Sequence, residues 1–90
     1  MDGITIHPHA LEHDQTREDI YAALYTETGS VLLHREPDSE RWILTGFNTH
    51  GNLIQIVKVV FETGGVLVIH CMKAQKETVA MIDRARRMKR

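Results

Sequence analysis

Residues 53–72 read LIQIVKVVFETGGVLVIHCM, and this stretch decides the fold. Branched apolar residues dominate 53–61 and 66–72, as is typical of buried β-strands. The Thr63-Gly64-Gly65 sequence between these segments is typical of a tight hairpin. The stretch therefore predicts two adjacent antiparallel strands, of which the first is apolar on both faces and hence central in its sheet.

Two further strands are predicted upstream, over residues 31–35 and 41–47. Turn residues at 37–39 and 50–52 separate them from each other and from the central hairpin. Short connections between consecutive strands predict an antiparallel meander of four strands. Residues 1–6 are either a loose start or a short edge strand.

Helices are predicted before and after these strands. Pro8 favours a short helical turn over residues 9–13, and Thr16 with Asp19 approximates a capping box at the start of a second helix. We expect Gly29 to end that helix in a left-handed conformation. A C-terminal helix is predicted over residues 74–88. The residues expected to face the sheet are Ile20, Ala23, Leu24, Val79, Ile82 and Ala85.

The chain is thus predicted to be one α+β domain spanning residues 1–90, a four-stranded antiparallel meander with N-terminal helices and one C-terminal helix. Cys71 is the only cysteine, so no internal disulfide can form, which is typical of the reducing cytoplasm. The sequence contains no signal peptide and no apolar run of the ~18–20 residues that a membrane span needs. We therefore expect a cytoplasmic protein without membrane contact.

Charge is unevenly distributed along the chain, although the net charge is only −1. Residues 1–57 carry three basic and nine acidic side chains, whereas residues 58–90 carry eight basic and three acidic ones. A basic patch of this kind meets phosphate or an acidic partner. Cations in the last turns of a helix also complement its dipole, so a purely structural role for Arg84, Arg86 and Arg87 stays open.

Lys58 and His70 interrupt the two apolar strands. A lysine there must reach an acid, line an open face or simply point to solvent, because an unpaired buried ammonium is costly. A strand histidine either transfers protons or bonds within the core. A three-residue hairpin loop would set Lys58 opposite His70, and a two-residue loop would set them on opposite faces.

Metal binding is not predicted. His7, His9 and His13 lie close in the chain, but they lack the H-E-x-x-H pattern and a nearby cysteine. No cofactor motif is present, and no phosphate-binding glycine loop or nucleophile elbow occurs. We expect neither a metal nor a cofactor.

Two stretches resemble the BrnT family of bacterial toxins, which share a RelE-like ribonuclease fold. The first is ERWILTG (40–46) followed by GNLIQIV (51–57), and the second is VIHCMKA (68–74). The helix entry EHDQTREDI (12–20) is similar to that of the family as well. The resemblance implies a metal-independent endoribonuclease that cleaves mRNA and is neutralised by a cognate antitoxin.

Carried over residue by residue, the resemblance implies roles for His13, Arg41 and Lys73. His70 and Met72 stand where the family has serine and arginine. Adding Lys58 and His70, which interrupt the apolar strands, gives the predicted catalytic set of His70, Lys58, Lys73, Arg41 and His13. The predicted RNA-binding set is Arg84, Arg86 and Arg87.

Two alternatives remain open from the sequence. One is a non-catalytic protein-binding module of the same fold that forms a homodimer through an edge strand. The other is a nucleic-acid-binding accessory that uses the basic cluster at residues 84–90.

Overall fold

Five strands, two α-helices and one 3-10 turn make up residues 3–88, the part of the chain that a computed structural model describes. Met1, Asp2, Lys89 and Arg90 lie outside it, so the start of the predicted edge strand and the end of the basic cluster are not covered. In chain order the elements are β1 (Ile4–Ile6), the 3-10 turn (Pro8–Leu11), α1 (Arg17–Tyr25), β2 (Gly29–Glu36), β3 (Ser39–Phe47), β4 (Leu53–Phe61), β5 (Val66–Lys73) and α2 (Lys76–Met88).

The sheet is mixed and has the order β1-β5-β4-β3-β2. Strands β2 to β5 form the predicted antiparallel meander. The prediction of four strands was incomplete, because β1 pairs in parallel with β5 at one edge. A strand of three residues has a weak signal of its own, and its partner lies about 60 residues away in the chain.

The β4–β5 hairpin contains a bulge that the sequence did not reveal. Its loop is Glu62–Gly64, closed by a bond from the Phe61 amide to the Gly65 carbonyl (2.9 Å). Lys58 then pairs with Val68 and Val57 with His70, which leaves Ile69 as an extra residue in β5. A regular ladder would have kept Lys58 and His70 on one face, and the bulge prevents this.

One face of the sheet packs against α1 and the 3-10 turn. Ile20 and Ala23 of α1 and Ala10 of the turn are fully buried there. Leu24 is half-buried against the same core. The sheet side of this core consists of Ile6, Leu44, Ile54, Ile56, Val68 and Cys71. Two of the predicted sheet-facing residues of α1 are thus confirmed as fully buried and the third as partly buried.

The opposite face of the sheet packs against α2. Gly29 pairs with Thr45, which follows Leu44 and therefore points away from α1. A Cβ atom at Gly29 would lie 2.5 Å from Cγ2 of Ile82, a buried residue of α2. Gly29 was predicted to end α1 in a left-handed conformation, and this prediction was wrong. It lies in β2, where close packing of α2 excludes a side chain.

A capping box begins α1, as predicted. The Thr16 hydroxyl accepts from the Asp19 amide (3.1 Å), and the Asp19 carboxylate accepts from the Thr16 amide (3.0 Å).

Neither α1 nor α2 has the length and apolar character needed to span a bilayer.

Candidate functional site

His13 and His70 form a pair of imidazoles at the edge of the sheet. Their ring centroids are 5.8 Å apart and the planes meet at 61°. His70 is carried by β5 next to the bulge, and His13 lies in the segment between the 3-10 turn and α1. Residues 57 positions apart in the chain therefore meet because the turn packs against β5.

The environment of this histidine pair favours the neutral form of His70. Burial lowers the pKa of His70, and the positive charge of protonated His13 and His9 lowers it further. A neutral imidazole at physiological pH is a proton acceptor. His13 is exposed, so a ligand can reach the pair from the solvent side.

Lys58 does not join the histidine pair. It is half-buried in β4, where its register partners are Trp42 and Val68. Its neighbour Val57 is the partner of His70, and successive strand residues point to opposite faces. The register therefore separates Lys58 from His70.

Lys73 is exposed at the end of β5, where its partner is Ile54. Ile54 and Lys58 are four residues apart in β4, which corresponds to about 13 Å along the strand. Lys73 thus lies at one end of the sheet and Lys58 near the middle. The structure does not bring together the three residues on which the predicted site depended.

Lys73 instead lines a groove of about 730 Å³ at the end of the sheet. The groove lies between the β3–β4 turn, the segment that enters α1, the end of β5 and one side of α2. Its lining residues are Gln15, Asn48, Asn52, Leu53, Ile54, Lys73, Ala74, Lys76, Val79, Ala80 and Asp83. We call this feature the end groove.

Arg41 lies elsewhere, in a depression beside the β2–β3 hairpin. It is exposed, pairs with Val59 of β4, and shares the depression with His34 and Glu36. His34 and Glu36 form an ion pair with each other when the imidazole is protonated. The structure does not bring Arg41 to the histidine pair.

The predicted RNA-binding arginines are exposed near the end of α2. Arg86 bonds Asp83 at 3.5 Å, and its aliphatic stem lies against Gly29 of β2. Arg86 therefore contributes to packing. Arg84 and Arg87 lie on the same helix without contributing to the end groove lining.

His7 and His9 make contacts within and next to the 3-10 turn. Nδ1 of His7 accepts from the His9 amide at 3.0 Å, and His9 lies 3.4 Å from the Glu12 carboxylate. Within residues 3–88, no three histidine, cysteine, aspartate or glutamate side chains are grouped as metal ligands would be.

Sequence reasoning missed the end groove. Asn48, Asn52 and Gln15 read as ordinary turn and loop residues, and only the contact between the β3–β4 turn and the α1 entry joins them. Their amide chemistry was visible in the sequence, but their proximity was not.

Comparison with protein-family models, with curated proteins and with solved structures finds no match to this chain.

Proposed function

We propose that the protein is the toxin of a type II toxin–antitoxin system, a metal-independent endoribonuclease of BrnT/RelE-like fold that cleaves mRNA in the cytoplasm. The observation that carries the proposal is the pairing of His13 and His70. The α+β class, with an antiparallel meander and a C-terminal helix, is compatible with the fold that the resemblance implies.

Two adjacent imidazoles suit RNA cleavage because the reaction needs one base and one acid. Neutral His70 takes the proton from the ribose 2′-hydroxyl, and the 2′-oxygen attacks the adjacent phosphorus. Protonated His13 donates its proton to the departing 5′-oxygen as the phosphorus–oxygen bond breaks. The products are a 2′,3′-cyclic phosphate and a free 5′-hydroxyl. The proton of the 2′-hydroxyl ends on His70, and the proton of His13 ends on the 5′-oxygen.

Lys73 supplies positive charge three residues beyond His70 on β5. It lies about 10 Å along the strand from His70 and lines the end groove, so its ammonium suits a neighbouring phosphate of the RNA rather than the scissile one. Arg41 lies beside the β2–β3 hairpin, and Lys58 points to the opposite face of the sheet from its neighbour Val57, the partner of His70. We therefore include neither in the mechanism.

The test is cleavage of RNA by the purified protein in the presence of EDTA. We expect a 2′,3′-cyclic phosphate product, and a loss of about 10²–10⁴-fold in rate for His70→Gln or His13→Gln. His50→Gln, a change at an exposed histidine of the β3–β4 turn, is the matched control and retains the rate. Equal activity in all three variants would refute the assignment of the histidine pair.

The toxin assignment is tested in cells. Induction of the chain is expected to arrest growth, and co-expression of the proposed cognate antitoxin is expected to rescue it. Harmless expression, together with an absence of cleavage with or without ribosomes, would rule out a toxin nuclease.

A second candidate function is a non-catalytic module that dimerises through β2. The supporting observation is that β2 is an edge strand of eight residues, with Leu33 44% exposed. Edge strands pair readily with another chain. Light scattering would then give a dimer for the native chain and a monomer for Leu33→Lys, and neither would cleave RNA.

A further inference from the structure

The end groove combines features that suit a nucleotide. Its volume of about 730 Å³ lies within the range of roughly 300–1,000 Å³ typical of small-molecule sites. One part of its lining is apolar, one part carries side-chain amides, and one part carries lysines. A nucleotide needs these three surfaces for the face of its base, the edge of its base and its phosphate.

The apolar wall comes from β4 and α2. Leu53 and Ile54 lie at the start of β4, and Val79 and Ala80 lie on the side of α2 that faces the groove. Leu53 and Val79 are only half-buried, so their side chains are available to a ligand. The apolar face of a base is favourably buried against such an aliphatic surface.

Asn48 holds the Gln15 side chain and the backbone of the β3–β4 turn in place. Its Nδ2 donates to Oε1 of Gln15 at 3.0 Å, and its Oδ1 accepts from the amides of His50 and Asn52 at 2.9 Å each. Asn48 is therefore committed to the protein. Gln15 uses its carbonyl oxygen in this bond, so its NH₂ group remains a donor for a base edge.

The charge of the groove is positive. Lys73 and Lys76 are exposed in its lining, and none of the ion pairs between residues 3 and 88 involves either of them. The one acidic side chain of the lining, Asp83, bonds Arg86 at 3.5 Å. The two ammonium groups outnumber this carboxylate, so the lining carries a net positive charge that suits an anionic ligand.

Two lining residues of the end groove lie close in the chain to the two histidines of the pair. Gln15 follows His13 by two residues, and Lys73 follows His70 by three, or about 10 Å of extended strand. A phosphodiester backbone that runs along β5 from the histidine pair covers this distance within two nucleotides. A strand whose scissile phosphate lies at the histidine pair would therefore bring a neighbouring nucleotide to the groove.

We propose that the end groove binds one unpaired nucleotide of the RNA next to the scissile phosphate, with its base on the wall of Leu53 and Val79 and its phosphate on Lys73. This inference rests on the proposed ribonuclease function. It assigns single-stranded RNA as the substrate class, because a paired base would not be free to enter the groove.

The test separates binding from cleavage by using a 2′-O-methyl dinucleotide, which lacks the attacking hydroxyl. Titration followed by amide NMR is expected to shift the signals of Asn52, Lys76 and Ala80. Ala80→Trp fills the groove from an exposed helical position, and Lys73→Gln removes the charge assigned to the phosphate. Each is expected to weaken binding tenfold or more, and the control Arg35→Gln, at the distant β2–β3 hairpin, leaves it unchanged.

The outcomes distinguish this inference from the function on which it rests. A dinucleotide that binds in the groove of a protein unable to cleave RNA would refute the nuclease and support the groove. RNA cleavage that is unchanged in KM and site preference by Ala80→Trp would refute the groove and leave the nuclease standing. Equal competition by inorganic phosphate or by a tetraglutamate peptide would reduce the site to general anion binding and overturn base recognition.

Discussion

Asp19 joins two parts of the molecule through one buried carboxylate. It is 4% exposed and accepts hydrogen bonds from the amide and hydroxyl of Thr16 and from the amide and hydroxyl of Thr49. The capping box was visible in the sequence because its two residues are three apart. The bond to Thr49 was not, because it spans 30 residues and depends on how α1 docks on the sheet.

Replacing Asp19 with alanine is expected to destabilise the protein by about 2–4 kcal/mol, since a cap and several charge-assisted bonds are lost together. Urea denaturation measures the change. Glu18→Ala, at an exposed position in the same helical turn, is the control and is expected to cost less than about 1 kcal/mol. Equal losses for the two variants would mean that Asp19 contributes only its interaction with the helix dipole.

Cys71 is a structural thiol. Burial raises the pKa of Cys71 to about 12, with a smaller contribution from the negative charge of Asp19. Because the thiolate is the reactive form, we expect iodoacetamide to leave the native protein unmodified and to alkylate it fully in guanidinium chloride. Mass spectrometry reports the result, and rapid native alkylation would contradict the burial.

At the scale of elements, the close contact between α1 and β3 requires a glycine at position 46. A Cβ atom at Gly46 would lie 2.0 Å from the carbonyl oxygen of Ala23 and 2.7 Å from its carbonyl carbon. Backbone atoms cannot move aside as a flexible side chain can. The helix therefore approaches the sheet closely only because position 46 is glycine.

Gly46→Ala is expected to cost at least about 3 kcal/mol, because α1 must move away from the fully buried Leu44 and Ile56. Thermal or urea unfolding measures the loss. Gly65→Ala is the matched control, since its nearest atoms would be 3.9 Å away and its φ angle is not positive. A similar cost at both positions would mean that lost backbone freedom, not close packing, explains the effect.

The β4–β5 hairpin illustrates what local sequence leaves undetermined. Both strands and the glycine turn were predicted from composition and are confirmed. The extra residue Ile69 was not, because a bulge depends on how β5 pairs with both of its neighbours, β4 and β1. That one residue determines whether the His70 side chain lies on the same face of the sheet as Lys58 or on the same face as Val57. It therefore determines whether Lys58 can join His70 in one site.

At the scale of the whole molecule, the histidine pair links stability to pH. Because the pKa of His70 is lower in the folded than in the unfolded chain, protonation favours unfolding. The stabilising contribution is complete above the ordinary histidine pKa of about 6.5 and is lost as the pH falls toward the folded value. Stability is therefore expected to decrease with acidity in that window.

Urea denaturation at roughly pH 5 and 7.5 tests this linkage. The His70→Gln variant is expected to show a smaller loss of stability at the lower pH than the native chain does. The control His50→Gln, at an exposed turn, is expected to retain the native difference. An unchanged difference in His70→Gln would show that other groups control the acid sensitivity.

By itself the sequence determined the α+β class, the antiparallel meander, both helices and the Thr16–Asp19 cap. Each of these depends on interactions within a few residues or between consecutive strands, so periodicity and turn chemistry are sufficient. The tertiary structure alone decided the parallel docking of β1, the bulge at Ile69, the meeting of His13 with His70 and the end groove. These features join segments far apart in the chain, where the packing of the helices and the sheet, rather than local preference, determines which side chains become neighbours.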